Sequence, residues 1–157
     1  VYCFLVVFIL LCPVIQDDLP ALAAGLGRHL RVVEPGHIGA VQGIPVCFDA
    51  KESAVDTVPL QNIHEHQIEF MNDFERQGGV AFILLMYTQR DEMYYIPLMD
   101  INVFWQRMKA GGRKSFTYDE VDKAYRVTRK GEYLVHYLES LSRDLDSREG
   151  EDNGEKA

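Results

Sequence analysis

Three observations in the sequence predict an α/β fold, a mixed β-sheet flanked by helices. The run "VAFILLMY", residues 80–87, is apolar throughout and suits a central strand covered on both faces. Ahead of it, Ile63, Ile68, Phe70, Met71 and Phe74 recur near helical spacing, and the pattern stops at Gly78 and Gly79. The order of segments, a β-hairpin, a helix, two strands and then helices, is that of a layered α/β sandwich.

Taken in chain order, the first segment matches none of this. "VYCFLVVFILLCPVI", residues 1–15, is almost wholly apolar but shorter than the ~20 residues a membrane span needs. It has neither a basic leader nor a clear small-residue cleavage site. A signal peptide, a buried strand and an interfacial segment stay open, with a buried or mis-specified segment ranked first. The chain begins with Val, which reads as a fragment, an alternative start or an erroneous upstream frame. Residues 19–30 offer a short helical stretch before a break at Pro35.

From there the signals sharpen. "IGAVQGIPVCFDAKE" reads as two strands joined at Gly43, because its Gly, Pro and β-branched content disfavours a helix. "SAVDTVPLQ" reads as a loop, and "NIHEHQIEFMNDFERQGG" as the helix already noted. "MYYIPL", residues 93–98, pairs with the central strand across the polar turn "TQRDE". "INVFWQRMK", from Ile101, is a short amphipathic helix leading into the exposed basic turn "AGGRKS". "TYDEVDKAY" resembles an N-capped helix starting near Thr117, and "YLVHYLESLSRDL" puts Tyr133, Leu134, Tyr137, Leu138 and Leu141 on one helical face.

A chain of 157 residues, 47% hydrophobic and 25% charged, is long enough for one domain with its own core. The net charge of -8 argues against non-specific attraction of nucleic acid to the surface as a whole. The charge is uneven, however. Residues 104–131 carry eight basic side chains (Arg107, Lys109, Arg113, Lys114, Lys123, Arg126, Arg129, Lys130) against three acidic ones (Asp119, Glu120, Asp122). The acidic excess sits partly in residues 144–157, which read as a solvated helix end followed by a disordered tail. Three cysteines, Cys3, Cys12 and Cys47, show no paired metal spacing and no disulfide framework, which fits a reducing cytoplasm.

The chemistry centres on "FDAKES". Residues two apart on a strand share a face, so Asp49 and Lys51 are neighbours while Ala50 points away. The plain reading is a surface ion pair at a strand end, worth ~0 to 1 kcal/mol. The sharper reading is a metal-dependent nuclease strand, in which Asp holds Mg2+ and Lys stabilises charge at the attacked phosphate. His64 and His66, at i and i+2, do not share a helical face and make a poor joint metal site. Gln67 lies one turn beyond His64, where its side-chain carbonyl can reach a metal held by Asp49 or serve simply as a packing amide.

In order, "IGAVQGIPVCFDAKES", "VPLQNIHEHQIEFMNDFERQGGVAFILLMY", "DEMYYIPL", "FWQRMKAGGRKSFTYDE" and "YLVHYLESL" closely resemble the RecU-type Holliday junction resolvases, a branch of the PD-(D/E)xK nuclease superfamily. The resemblance runs from about Ile38 to Leu141. It implies a restriction-endonuclease-like mixed sheet flanked by helices, and a homodimer that uses Mg2+ to cut opposing strands of a four-way DNA junction. Carried over by motif, Asp49 matches the central metal ligand, Lys51 the motif lysine and Gln67 the metal-proximal glutamine. Arg107, Lys109, Arg113 and Lys114 match the basic, DNA-contacting turn.

One element departs from the family's pattern. Thirteen residues before Asp49, where the family carries an aspartate, this chain has Gly36 in "GHIG". Glu34, two residues earlier, is the candidate replacement ligand. The family's N-terminal helix and its protruding stalk have no counterpart in residues 1–35, as if family sequence resumes near His37. The expected organisation is therefore an atypical apolar segment over residues 1–35, a nuclease domain over 36–143 and an acidic tail over 144–157. Besides the nuclease, two other readings stay open: a DNA-binding or dimeric scaffold that does not cut, and a membrane-associated form held by residues 1–15, the membrane reading ranking last.

Overall fold

The computed structural model describes residues 37–128 and 136–154. All of them fall in the second of the two units into which the chain divides, Pro35–Ala157. The expectations for residues 1–36, and those for Tyr133 and Leu134, lie outside the described residues.

β1 (His37–Val41) and β2 (Ile44–Ser53) form the expected antiparallel hairpin. Gln42 and Gly43 between them have φ of 50° and 86°. Two successive left-handed residues give the tight turn whose twist suits paired strands. After β3 (Thr57–Pro59) and a 3-10 turn, α1 (Glu65–Arg76) carries the chain back to β4 (Val80–Tyr87), which lies parallel to β2. A parallel pair requires such a crossover. β5 (Glu92–Pro97) returns antiparallel to β4, α2 (Leu98–Lys109) follows directly, and β6 (Ser115–Thr117) pairs with β3 in a small second sheet. β7 (Arg126–Val127) closes the main sheet, whose order is β1-β2-β4-β5-β7, and α3 (Leu138–Gly154) ends the described chain.

β4 explains its own composition. Ala81, Ile83, Leu85 and Tyr87 face one core with Ile68 and Met71 of α1 and Ile101, Phe104 and Trp105 of α2. Phe82 and Leu84 face a second core with Tyr95 and with Leu141 and Leu145 of α3. A strand covered on both faces keeps no polar alternation, and each fully buried large side chain contributes about 1.5–3 kcal/mol. The mixed sheet between helical layers is thus the α/β architecture expected from the sequence.

Several boundaries differ from expectation. α2 starts at Leu98 rather than Ile101, because Pro97 at its cap is compatible with a helix start and Asp100 complements the positive end of the helix dipole. The helix expected near Thr117 is two single 3-10 turns. Glu120 closes the first on Thr117, and Asp122 opens a second cap by accepting from the Ala124 N–H at 2.8 Å. Two competing caps leave no room for a continuous helix. Leu138 is 40% exposed and so does not join Leu141 on a buried face.

The segment from residue 144, expected to be a solvated helix end followed by a disordered tail, is helical through Gly154, but its first residue is not solvated, since Asp144 is 1% exposed. Tyr95 Oη donates to its Oδ2 at 2.5 Å and Arg148 Nε to its Oδ1 at 2.8 Å. Arg148 Nη2 also donates to Glu75 Oε1 at 2.7 Å, an oxygen that accepts the Ala81 N–H at 3.0 Å. Composition alone hides this, because Asp144 is an interior anchor between α3, β5 and the end of α1. Burial and the Asp144 charge push the Tyr95 phenol far above its ordinary pKa.

Candidate functional site

Alternation along β2 sends Val46 and Phe48 into the core under α3, and Cys47 into the core under α1 and α2. Asp49 and Lys51 follow Cys47 on the α1 side. Their partners on β4 are Ile83 and Leu85, both buried. Asp49 is therefore set among apolar neighbours and is only 9% exposed. A carboxylate at that depth requires polar partners to offset its lost hydration.

Two are present. Lys51 Nζ lies 2.8 Å from Asp49 Oδ2, and Gln67 Nε2 donates to the same oxygen at 3.0 Å. Gln67 is the third residue of α1, and its Oε1 accepts the His64 backbone N–H at 3.1 Å. One amide thus ties the start of the helix to the strand. The arrangement corrects the plain reading of a solvent-exposed pair at a strand end, since the pair is mostly buried and a third residue completes it. Burial, reinforced by the Glu75 charge, pushes the Cys47 thiol up to about 12, so this neighbour of Asp49 stays a neutral thiol.

Asp49 and Gln67 supply oxygen donors of the kind a hard divalent cation takes. Oδ1 of Asp49 has no protein partner among the described residues, but the Gln67 amide presents its Nε2 to Asp49 and its carbonyl to the His64 N–H, so the expected reach of that carbonyl toward a metal on Asp49 requires the amide to turn over. No group of three His, Cys, Asp or Glu side chains capable of holding a metal comes together among the described residues. Mg2+ commonly takes one or two carboxylates and fills its remaining positions with water and substrate phosphate, so the donor set fits that ion. Glu34 lies outside the described residues. The rings of His64 and His66 stack at 5.3 Å with 10° between their planes, which the cap position of His64, outside the helix proper, permits.

The basic turn is more ordered than its composition implies. At the end of α2, Gly111 has φ of 86°. A Cβ on Gly112 would stand 2.8 Å from the Arg107 carbonyl oxygen, so the chain folds back over Arg107 only with glycine there. Arg107 Nη1 donates to Glu120 Oε1 at 2.5 Å and Nη2 to Ser115 O at 2.7 Å. Arg113 pairs with Glu120 Oε2, and Lys109 with Glu65 at the start of α1. Lys123 places its ammonium 3.5 Å from the centre of the Tyr118 ring and donates to Val121 O at 3.0 Å, while Arg126 pairs with Glu92. Lys114 is exposed and has no ion pair among the described residues.

The local excess of basic residues is therefore partly neutralised by Glu65 and Glu92, which lie outside the counted window. Glu120, inside it, is a site residue that the sequence reading misses. Its signal was Thr117-x-x-Glu120, the spacing of a capping box. The described residues include no helix long and apolar enough to cross a membrane.

Comparison with known proteins adds an independent finding. Residues 32–143 match the family model "RecU: Recombination protein U". Among curated relatives, the Holliday junction resolvase RecU of Bacillus cereus (strain B4264) is 35% identical over 114 residues, covering 70% of this chain and 57% of that protein. The protein of the same name from Bacillus thuringiensis (strain Al Hakam) is 36% identical over 112 residues, covering 69% of this chain and 56% of that protein. The chain thus spans little more than half the length of these relatives.

Proposed function

The chain belongs to the Recombination protein U family, and from that premise we propose that it is a structure-specific endonuclease that resolves four-way DNA junctions in recombination and repair, with Mg2+ as its cofactor. The observation that carries this reading is the single hydrogen-bonded cluster of Asp49, Lys51 and Gln67. The relatives' printed name supplies the substrate, a Holliday junction.

In this reading Asp49 and Gln67 hold the metal, with Glu34 as a further ligand. Such an ion supplies a water of lowered pKa and positive charge beside the phosphate. Lys51 does the rest of the electrostatic work. Its ammonium stands on a rigid strand, and a donor fixed in advance stabilises charge that develops on the phosphate oxygens without reorganising. Without the metal, Gln67 keeps the Asp49 carboxylate from turning by holding Oδ2 against the helix start. Lys109, Arg113 and Lys114 contact phosphates along the DNA arms and fix its register without reading its sequence. Arg107, held on Glu120 and the Ser115 carbonyl, supports the turn instead. The protein works as a homodimer in the cytoplasm, two copies placing two such sites on opposing strands.

A second reading, a DNA-binding or dimeric scaffold that does not cut, is favoured by one feature, the glycine at position 36 where the family's aspartate belongs. Cleavage of a labelled four-way junction, with and without Mg2+, by the chain as given and by Gly36→Asp separates the two. Mg2+-dependent cleavage by the original chain supports the nuclease. Junction binding without cleavage, restored to cleavage by Gly36→Asp, supports the scaffold.

A further inference from the structure

Arg107 and Arg113 approach the same carboxylate from two sides and differ in how firmly they are held. Arg107 has three constraints. Nη1 is on Glu120 Oε1, Nη2 is on Ser115 O, and its own carbonyl oxygen accepts the Gly112 N–H at 2.9 Å under a glycine that cannot be replaced without a clash. Its side chain is 34% exposed. Arg113 has one constraint, its Nη2 on Glu120 Oε2, and half its side chain is in water.

Glu120 itself is anchored without Arg113. Its Oε2 accepts the Thr117 N–H at 2.8 Å and the Thr117 hydroxyl at 3.1 Å, and its Oε1 accepts from Arg107. Burial works against its charge, yet the Arg107 and Thr117 hydrogen bonds prevail and hold the carboxyl below its ordinary pKa. One carboxylate neutralises one guanidinium, so the pair of arginines leaves one positive charge in surplus, on the side chain with the fewest contacts.

We propose that Glu120 divides the basic turn into a fixed strut, Arg107, and a transferable arm, Arg113, and that a DNA phosphate displaces Glu120 from Arg113 while Arg107 stays in place. The exchange is chemically even-handed. Carboxylate and phosphate both present oxygen anions to the guanidinium fork, and an exposed ion pair is weak enough to give way. Glu120 is accordingly a positioning residue, Arg113 the phosphate contact and Arg107 a structural element with no phosphate contact of its own. This deepens the junction-binding reading and rests on it.

The test is the salt dependence of four-way-junction binding in Ca2+, which replaces Mg2+ so that cleavage does not interfere, paired with thermal melting of the same proteins. Arg113→Gln is expected to lower the slope of log K against log salt by about 0.9, the value for one phosphate contact, with its melting temperature unchanged. Arg107→Gln is expected to keep the slope and melt several degrees lower. Glu120→Gln, which retains an acceptor for Thr117, is expected to tighten binding about two- to fivefold at low salt, the range set by an exposed pair.

Equal slope losses in the two arginine variants would overturn the division, as would weaker binding by Glu120→Gln. If the unaltered chain binds no junction at all, the junction-binding reading falls and this inference with it. Binding with an unchanged slope in Arg113→Gln overturns this inference alone.

Discussion

Asp49 is 9% exposed, and its partners come from its own strand and from the start of the helix that covers it, whereas Arg113 keeps half its side chain in water and rests on one carboxylate. The first arrangement cannot move without disturbing the sheet, because Asp49 and Lys51 are in register with the buried residues Ile83 and Leu85 of the central strand. The second can change partners at little cost. A reacting centre needs the first property, and a surface that must meet DNA of variable path needs the second. Under the proposed function, the contrast separates chemistry from grip within one small domain.

The largest effect bearing on this contrast is expected far from both regions. Asp144→Ala removes a fully buried carboxylate and leaves the Tyr95 hydroxyl and the Arg148 guanidinium short of a partner. Loss of about 3–5 kcal/mol in urea unfolding is expected. A loss below about 1 kcal/mol would mean that Asp144 does not anchor α3 to β5 and the end of α1.

Next in size, Lys51→Met is expected to reduce junction cleavage about 10²- to 10³-fold, the usual effect of deleting one fixed donor at a developing anion, with junction affinity nearly unchanged. An equal loss in affinity would move Lys51 from the chemical side of the comparison to the gripping side. Gln67→Leu unties Asp49 from the helix and leaves the His64 N–H unpaired, so a loss of about 1–2 kcal/mol in stability is expected, readable by thermal melting. An unchanged melting temperature would show that the amide bridge adds nothing to the strand site.

The smallest effect concerns Asp100, whose carboxyl is raised by burial and then by the charges of Asp122 and Asp144. A carboxyl raised in the folded state binds its proton more tightly there than in the unfolded chain, so ionising it subtracts from stability as pH climbs. Asp100→Asn should unfold at higher urea than the original at pH 7. The advantage should vanish below the ordinary aspartate value of about 3.9, where both states carry the proton. A variant less stable at pH 7 would show instead that the Asp100 charge at the start of α2 is a net benefit.

Much of the strand site was legible in the sequence. Strand periodicity alone placed Asp49 beside Lys51, and the helix pattern put Gln67 in its first turn, because both depend on local geometry. The burial of Asp49 was not legible, since it depends on which residues of β4 lie alongside. The basic turn was legible only as a composition. The folded chain uses Gly111 for a left-handed turn and Gly112 to pass over Arg107. The pairing of Arg107 and Arg113 on Glu120 bridges 13 and 7 positions through the turn and β6, and no single helix or strand spans either pair. Asp144 misled for a related reason, because an acidic, aromatic-poor segment gives no hint that its first carboxylate meets a tyrosine 49 positions earlier.

The most direct measurement is junction binding and junction cleavage side by side for Asp49→Asn, which keeps the shape of the side chain and removes its charge. Affinity close to that of the original chain in the presence of Mg2+ is expected, with cleavage reduced at least about 10³-fold, since the proposed metal would lose its central ligand. Cleavage by Asp49→Asn at a rate near the original would contradict that expectation, and would place the chemistry somewhere other than the strand that carries Asp49 and Lys51.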